Sequence, residues 1–257
     1  MAIFAPTIYY FGQPVSAAAG FIIRTDTYAS SVTIAIPGTQ FGSTFGQTSF
    51  RSDISGYING GSSLPELPLS GSGQTTNTAT NFSAVPYGTS MARTLGNFGA
   101  VAGNTSNINF GTGSFTIECW MYMPTNVSGD NPWFFNYSGG SGFAQYSSGP
   151  RFTYEAGGTE LGFYPGKPIL SANTWYHFAM SRTGSRFYAA VNGTIIGSSS
   201  LAGTTGTTPA FALMGWNGNA SQRSDYFQDF RVTKGVARYT EQSGSAYTVP
   251  GSIVIAG

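Results

Sequence analysis

From Phe115 to Tyr122 the chain alternates with a period of two, and the 3.6-residue period of an amphipathic helix is nearly absent elsewhere. In Phe115-Thr116-Ile117-Glu118-Cys119-Trp120-Met121-Tyr122 the odd positions are Phe115, Ile117, Cys119 and Met121. Successive side chains of a strand point to opposite faces, so these four make one apolar face. Ser31 to Ile36, closed by Pro37-Gly38, is a shorter run of the same kind. Trp175 to Met180, Phe187 to Val191 and Tyr226 to Val232 follow. Gly, Pro, Ser and Asn clusters separate the runs and supply turn chemistry. Short strands punctuated in this way predict an all-β sandwich or jelly roll.

Composition narrows the function. Only 8% of the 257 residues are charged, against about a quarter in an ordinary globular chain, while 15% are aromatic and 36 are Gly. Disordered chains show the reverse profile. So few charges predict a surface of Ser, Thr, Asn, Gln and Gly, which suits a protein whose faces are covered by neighbours. Net charge is +1, with Lys and Arg scattered singly from Arg24 to Arg238. No basic stripe exists to neutralise phosphates, so nucleic acid is not an expected partner. The one cysteine, Cys119, rules out an internal disulfide. Residues 1–24 lack a basic start and are broken by Pro6, Gln13 and Pro14, which makes a poor signal peptide. No run approaches the roughly 20 apolar residues that span a bilayer, so no membrane insertion is expected.

Two stretches depart from the strand pattern. Residues 60–84 are rich in Gly, Ser, Thr, Asn and Pro and read as a long surface loop. Residues 1–25 alternate apolar clusters with Pro and Gly and read as an N-terminal arm. Ordering an arm costs roughly 1–2 kcal/mol per residue in backbone entropy. Burying a large apolar side chain returns roughly 1.5–3 kcal/mol. Burial of Ile3, Phe4, Tyr9, Tyr10, Phe11, Phe21, Ile22 and Ile23 therefore falls short unless backbone hydrogen bonds help. The arm is expected to dock by strand addition, to its own sheet or to a partner chain, with Phe4, Tyr9, Tyr10, Phe11, Phe21 and Ile22 as docking residues.

Phe110-Gly111-Thr112-Gly113-Ser114-Phe115-Thr116-Ile117-Glu118 followed by Trp120 resembles the central strand of the laminin G-like, concanavalin A-like jelly roll. Trp175-Tyr176-His177-Phe178-Ala179, Arg182, Gly184 and the run Tyr188 to Gly193 resemble its strand–turn–strand signature. Tyr226 to Thr240 is similar to its closing strand and tail, in the form carried by bacteriophage virion proteins. Asp26 to Val32 and Tyr87 to Met91 resemble the opening and pre-core strands of those phage modules. Gln228 stands where many relatives carry an acidic residue. The resemblance covers about 26–250. It implies a two-sheet antiparallel jelly-roll sandwich over 26–257, carrying the loop at 60–84 and preceded by the extended arm. It does not imply one activity, because function resides in sites grafted onto a fold.

Enzyme chemistry finds little support. The hydrolases of this fold carry two glutamates around an aspartate on one strand, and that pattern is absent. Glycoside hydrolysis needs two carboxyls about 5–5.5 Å or about 6.5–9.5 Å apart. The one tight pair is Glu155 and Glu160, which a Gly157-Gly158 turn would make cross-strand neighbours. A hairpin tip is ordinarily solvated, so this pair is not assigned a catalytic role. His177, the only histidine, lies mid-strand with no motif supplying a nucleophile or an orienting acid, and reads as a hydrogen-bonded structural residue. Cys119 reads as a small buried hydrophobe. Asp229 and Arg231, at i and i+2, are expected to pair on one strand face. No catalytic residue, resident metal or cofactor is expected. Calcium, which takes 6–8 oxygens, has only Asp130 and Asp225 as loop donors.

Glycan recognition needs an aromatic platform with amide and hydroxyl partners. Gly215-Trp216-Asn217-Gly218-Asn219, followed by Gln222 and Asp225, has these residue types; Asp130-Asn131-Pro132-Trp133 is a second candidate. The competing reading is that both tryptophans cap the core. Taken together, the sequence predicts a non-enzymatic bacteriophage virion protein, made in the bacterial host cytoplasm. Its expected role is capsid decoration, docked on capsid or other virion proteins by its arm, as a homo-oligomer and by habit of such proteins a trimer. The alternative is a tail- or head-fibre module that binds host surface glycan.

Overall fold

In the computed structural model the described residues are 8–10, 13–15, 28–36, 70–71, 75–78, 90–93, 98–100, 108–123, 133–137, 141–146, 149–156, 159–162, 171–200, 211–213, 215–216, 219–220, 226–240, 246–247 and 249. The strands in chain order begin with β1 (Ile8–Tyr10), β2 (Gln13–Val15), β3 (Val32–Ile36), β4 (Ser70–Gly71) and β5 (Thr75–Thr78). Next come β6 (Ser90–Arg93), β7 (Phe98–Ala100), β8 (Phe115–Met123), β9 (Trp133–Tyr137) and β10 (Ser141–Tyr146). Then follow β11 (Gly149–Ala156), β12 (Thr159–Gly162), β13 (Thr174–Thr183), β14 (Arg186–Val191) and β15 (Thr194–Ser200). The last are β16 (Phe211–Leu213), β17 (Gly215–Trp216), β18 (Asn219–Ala220) and β19 (Tyr226–Lys234). The one helical element among the described residues is a single 3-10 turn, Ala29–Ser31.

The strands form the two antiparallel sheets of a jelly-roll sandwich. One runs β15-β14-β13-β8-β19-β6-β5, with β3 also paired to β19; the other runs β12-β11-β10-β9-β16-β7-β4. Chain neighbours thus pair only locally, as in β13-β14-β15, while β8 sits between β13 and β19, which are distant in sequence.

The alternation of β8 produces the expected face: Phe115, Ile117, Cys119 and Met121 are all buried. Across the ladder Cys119 opposes Phe178 and Ile117 opposes Met180, both buried as well. Phe110 stacks on Phe115 with ring centroids 4.2 Å apart. Beside them, Val191-Asn192-Gly193-Thr194 closes β14 onto β15. Asn192 and Gly193 both have positive φ, 46° and 79°, as the two central residues of a type I′ turn require.

One stretch differs from its sequence reading. Within 60–84, expected as loop, Ser70–Gly71 pairs with β7 and Thr75–Thr78 with β6. Thr-Thr-Asn-Thr lacks apolar alternation, yet β-branched Thr suits a strand, and β5 ends its sheet's order, where little burial is demanded. Of the arm, β1 and β2 pair with each other, Tyr9 opposite Pro14 and Tyr10 opposite Gln13. That two-stranded ladder joins neither large sheet. Phe4, Phe11, Phe21 and Ile22 lie outside the described residues.

Candidate functional site

The even positions of β8 face the other way. In an open sandwich this face would meet water, yet Thr116 and Glu118 are as buried as the apolar core. Glu118 is opposite Ala179 on β13 and Arg231 on β19; Thr116 is opposite Ser181 and Thr233. What covers them is the segment after β19. Gly235 N donates to Ser114 O at 2.8 Å, Arg238 N donates to Thr116 Oγ1 at 2.8 Å, and that hydroxyl donates to Val236 O at 3.1 Å. Tyr239 then packs with Ala179, Ala190 and Ile195, and Tyr188 and Tyr247 close the cluster.

Glu118 is the centre of the ionic contacts here. Its Oε2 accepts from the Tyr239 hydroxyl at 2.5 Å and lies 3.3 Å from His177 Nε2. Oε1 lies 3.6 Å from Arg238 Nε and 4.0 Å from Arg231 Nη1, within ion-pair range but without a hydrogen bond. Arg231 Nη2 donates to Asp229 Oδ2 at 2.5 Å, and Arg238 Nε donates to Thr233 Oγ1 at 2.8 Å. On the far side of the imidazole, His177 Nδ1 is 3.0 Å from Tyr247 Oη. Two carboxylates and two guanidiniums thus share one region of low dielectric.

The electrostatics follow from that arrangement. Burial pushes the Glu118 carboxyl up, but the His177 hydrogen bond and the charges of Arg231, Arg238 and His177 outweigh it, leaving the group well below the usual carboxylate range. Burial, then the Glu118 charge and hydrogen bond, push the Tyr239 phenol far up, so it remains a donor. Asp229 is held above its ordinary value by burial, although Arg231 pulls the other way. The Cys119 thiol is raised by burial and by the nearby Asp229 and Glu118 charges, which suppresses its thiolate.

His177 is hydrogen-bonded and buried, as the sequence reading had it. The orienting acid that no local motif supplied is nevertheless present as Glu118, 59 residues earlier in the chain and brought alongside by the β8–β13 ladder. Asp229 and Arg231 do pair, but not through plain alternation. Three residue steps from Gln228 to Arg231 oppose two steps from Trp120 to Glu118, so β19 carries a bulge there. Asp229 adopts φ 49°, and the bulge re-aims both side chains.

The proposed surface residues are only partly within the described structure. Trp216 in β17 opposes Asn219 in β18 across a short antiparallel ladder. Trp133 opens β9. Asn217, Gln222, Asp225 and Asp130 lie outside the described residues. Glu155 does oppose Glu160 across β11 and β12. Among the described residues no three His, Cys, Asp or Glu side chains are grouped to hold a metal ion.

Sequence reasoning missed Glu118, Arg238, Tyr239 and Tyr247 as a group. The available signal was a single carboxylate in the middle of an otherwise uncharged strand, which calls for buried cations and donors whose positions only the fold supplies.

Solved structures share this architecture. The binding domain of botulinum neurotoxin DC in complex with rat synaptotagmin II is similar with a TM-score of 0.52 and 15% identity, over 82% of this chain and 50% of that one. The receptor-binding domain of botulinum neurotoxin D gives 0.52 and 10%, over 82% and 51%. This chain spans about half the length of those structures, and at such identities the likeness is one of fold. No curated protein matches. Residues 95–234 match the family model of the concanavalin A-like lectin/glucanases superfamily, and the span ends at the last residue of β19. By that match over more than half its length, the chain belongs to the concanavalin A-like lectin/glucanases superfamily.

Proposed function

We propose that this protein is a non-enzymatic binding module of a bacteriophage virion that decorates the capsid. The observation that carries the non-catalytic part is the state of Glu118 and His177. Both are about 1% exposed; Glu118 Oε2 accepts from the tail residue Tyr239, and His177 lies between Tyr247 at Nδ1 and Glu118 at Nε2. A general acid or base must reach the proton it transfers, and these two are spent on holding the tail to the sheet. Function then belongs to the surfaces. Structures of similar fold include toxin binding domains, which fits recognition without turnover. The virion assignment draws on the likeness of Tyr226 to Thr240 to phage modules and on the 8% charged composition, which suits faces covered by neighbours. Mounting through residues 1–25 and assembly as an oligomer belong to the same proposal.

Immunogold labelling of intact phage particles, with antibody raised to residues 85–257, tests it. Label spread over the head supports decoration; absence of label from accessible particles overturns surface display. A second reading, a fibre module that binds host glycan, is favoured by the β17–β18 ladder, which sets Trp216 opposite Asn219. Label confined to fibre tips would select it.

A further inference from the structure

The turn between β14 and β15 is held from two sides. Asn192, which is exposed, is tied to β13 through both its main chain and its side chain. Its backbone N donates to His177 O at 2.9 Å, and its Oδ1 accepts from His177 N at 2.8 Å. Gly193, which is buried, is tied to the tail: its O accepts from Tyr247 N at 2.7 Å, and the adjoining Thr194 forms the bridge with Ala246. Tyr247 O and Val249 Cγ2 lie so close that Gly193 has no room for even a methyl group.

Asn followed by Gly is also a reactive pair. Asparagine is among the thermolabile residues, and glycine sets no side chain beside the nitrogen that attacks its amide. In that reaction Gly193 N bonds to Asn192 Cγ, the Cγ–Nδ2 bond breaks, and Nδ2 leaves as ammonia with the proton from Gly193 N. The five-membered imide then takes up one water. Opening at Cγ gives aspartate. Opening at the main-chain carbonyl gives isoaspartate, whose backbone runs through Cβ and Cγ and is one methylene longer. The attack requires rotation about the Asn192 Cα–C bond to carry Gly193 N onto Cγ. In the docked turn the side chain is pinned to His177 N, and that rotation would draw Gly193 O off Tyr247 N.

We propose that Asn192 is a deamidation site kept closed by the docked tail, and that its conversion to isoaspartate releases the tail irreversibly. Local opening of the tail frees Gly193 and lets the turn rotate, so the reaction proceeds from the open form. Exposure of Asn192 admits the water that opens the imide. The product then cannot close again. A two-residue type I′ turn is defined by positive φ at both central residues, here 46° and 79°, and an added backbone methylene destroys that geometry. Gly193 O moves from the position where it met Tyr247 N, and the tail loses its backbone anchor beside the Tyr247–His177 contact. Docking is thus reversible until Asn192 reacts, and the modification records how long the tail has spent open. The chemistry does not depend on where the protein is mounted.

The test ages the full chain at mildly alkaline pH and follows it by peptide mapping, which separates Asn192 from the other Asn-Gly pairs at Asn59 and Asn217. Mass spectrometry reads amide-to-acid conversion, and labelling with an isoaspartyl methyltransferase reads isoaspartate. The expected result is conversion at Asn192 that Tyr247→Ala accelerates severalfold over wild type. Tyr247→Phe, which keeps the ring, is expected to accelerate it less and keeps the test decisive if the alanine variant unfolds. Gly184→Ala strains a turn with nothing within 4 Å of the added methyl and is expected to leave the rate at its wild-type value. In the isoaspartate fraction, hydrogen exchange over residues 239–249 should be faster than in unaged protein. Equal rates in wild type and both Tyr247 variants, acceleration by Gly184→Ala equal to that by Tyr247→Ala, or an isoaspartate fraction whose tail exchanges as slowly as before would each overturn the proposal. None of these outcomes bears on particle labelling, so the virion reading stands or falls on its own experiment.

Discussion

The hydroxyl of Tyr247 lies 3.0 Å from Nδ1 of His177, a residue 70 positions earlier whose other ring nitrogen reaches Glu118. One imidazole therefore links Tyr247 in the tail to the carboxylate at the centre of the sheet, which the Tyr239 hydroxyl also reaches. Backbone contacts accompany it: Thr194 and Ala246 form an isolated bridge, and Tyr247 N donates to Gly193 O at 2.7 Å. The Tyr239 and Tyr247 rings, 4.2 Å apart, close the cover.

Removing either phenol should loosen the tail to different degrees. Tyr247→Phe leaves the ring in place and deletes a hydrogen bond to His177, for an expected loss of about 0.5–1.5 kcal/mol. Tyr239→Phe deletes a bond to a carboxylate, for about 1.5–3 kcal/mol. Urea unfolding of both variants measures the difference. A Tyr239→Phe variant as stable as wild type would mean that Glu118 is satisfied without the tail.

Glu118→Ala should be among the most destabilising substitutions in the chain. It leaves Arg231 and Arg238 without a shared buried carboxylate, and breaking a buried ion pair on one side costs about 3–5 kcal/mol. Glu118→Gln, which keeps shape and an acceptor, should cost less. Equilibrium denaturation of the two, alongside Arg238→Met, would show whether the charge or the hydrogen bond dominates.

Acid should unfold the protein largely through Glu118. Its folded value lies well below the unfolded 4.5, so the unfolded chain binds more protons between the two. The contribution is fully present above about pH 4.5 and is lost as pH falls toward the folded value. Asp229 acts in the opposite sense, since its folded value lies above 3.8 and its contribution declines as pH rises through that value. Stability measured from pH 3 to 7 should rise in wild type and flatten or reverse in Glu118→Gln. A Glu118→Gln profile parallel to wild type would assign acid sensitivity elsewhere.

Two glycines separate backbone strain from the tail's close approach. A Cβ at Gly193 would lie 2.9 Å from Tyr247 O and 3.0 Å from Val249 Cγ2, in addition to the positive φ of 79°. At Gly184, φ is 55° and nothing lies within 4 Å. Gly184→Ala should cost about 1–2 kcal/mol through backbone conformation alone. Gly193→Ala should cost more and raise protease sensitivity in the tail. Equal costs in thermal unfolding and equal digestion rates would show that the tail yields without penalty.

The strand pattern was legible because its cause is local. In β8 the pleat alone puts Phe115, Ile117, Cys119 and Met121 on one side, and solvent exclusion does the rest. The turn at Asn192-Gly193 was legible only within the strand–turn–strand resemblance of residues 188–193; its local cause is that this pair takes positive φ at both positions. The burial of Cys119 and the hydrogen-bonded state of His177 followed from their positions in apolar strands.

What the tertiary structure decided is the second face. Glu118 is an isolated acidic residue in the sequence; it becomes the hub of a buried network because β13 and β19 flank β8 and the tail returns over all three. Partners at 177, 231, 238 and 239 contribute side chains to one small volume, and no local periodicity encodes that convergence. The bulge at Asp229 was equally hidden, because whether a strand carries an extra residue depends on its partner's register. Sequence periodicity reports which way a side chain points relative to its neighbours; only the paired and covered sheet decides what it meets there.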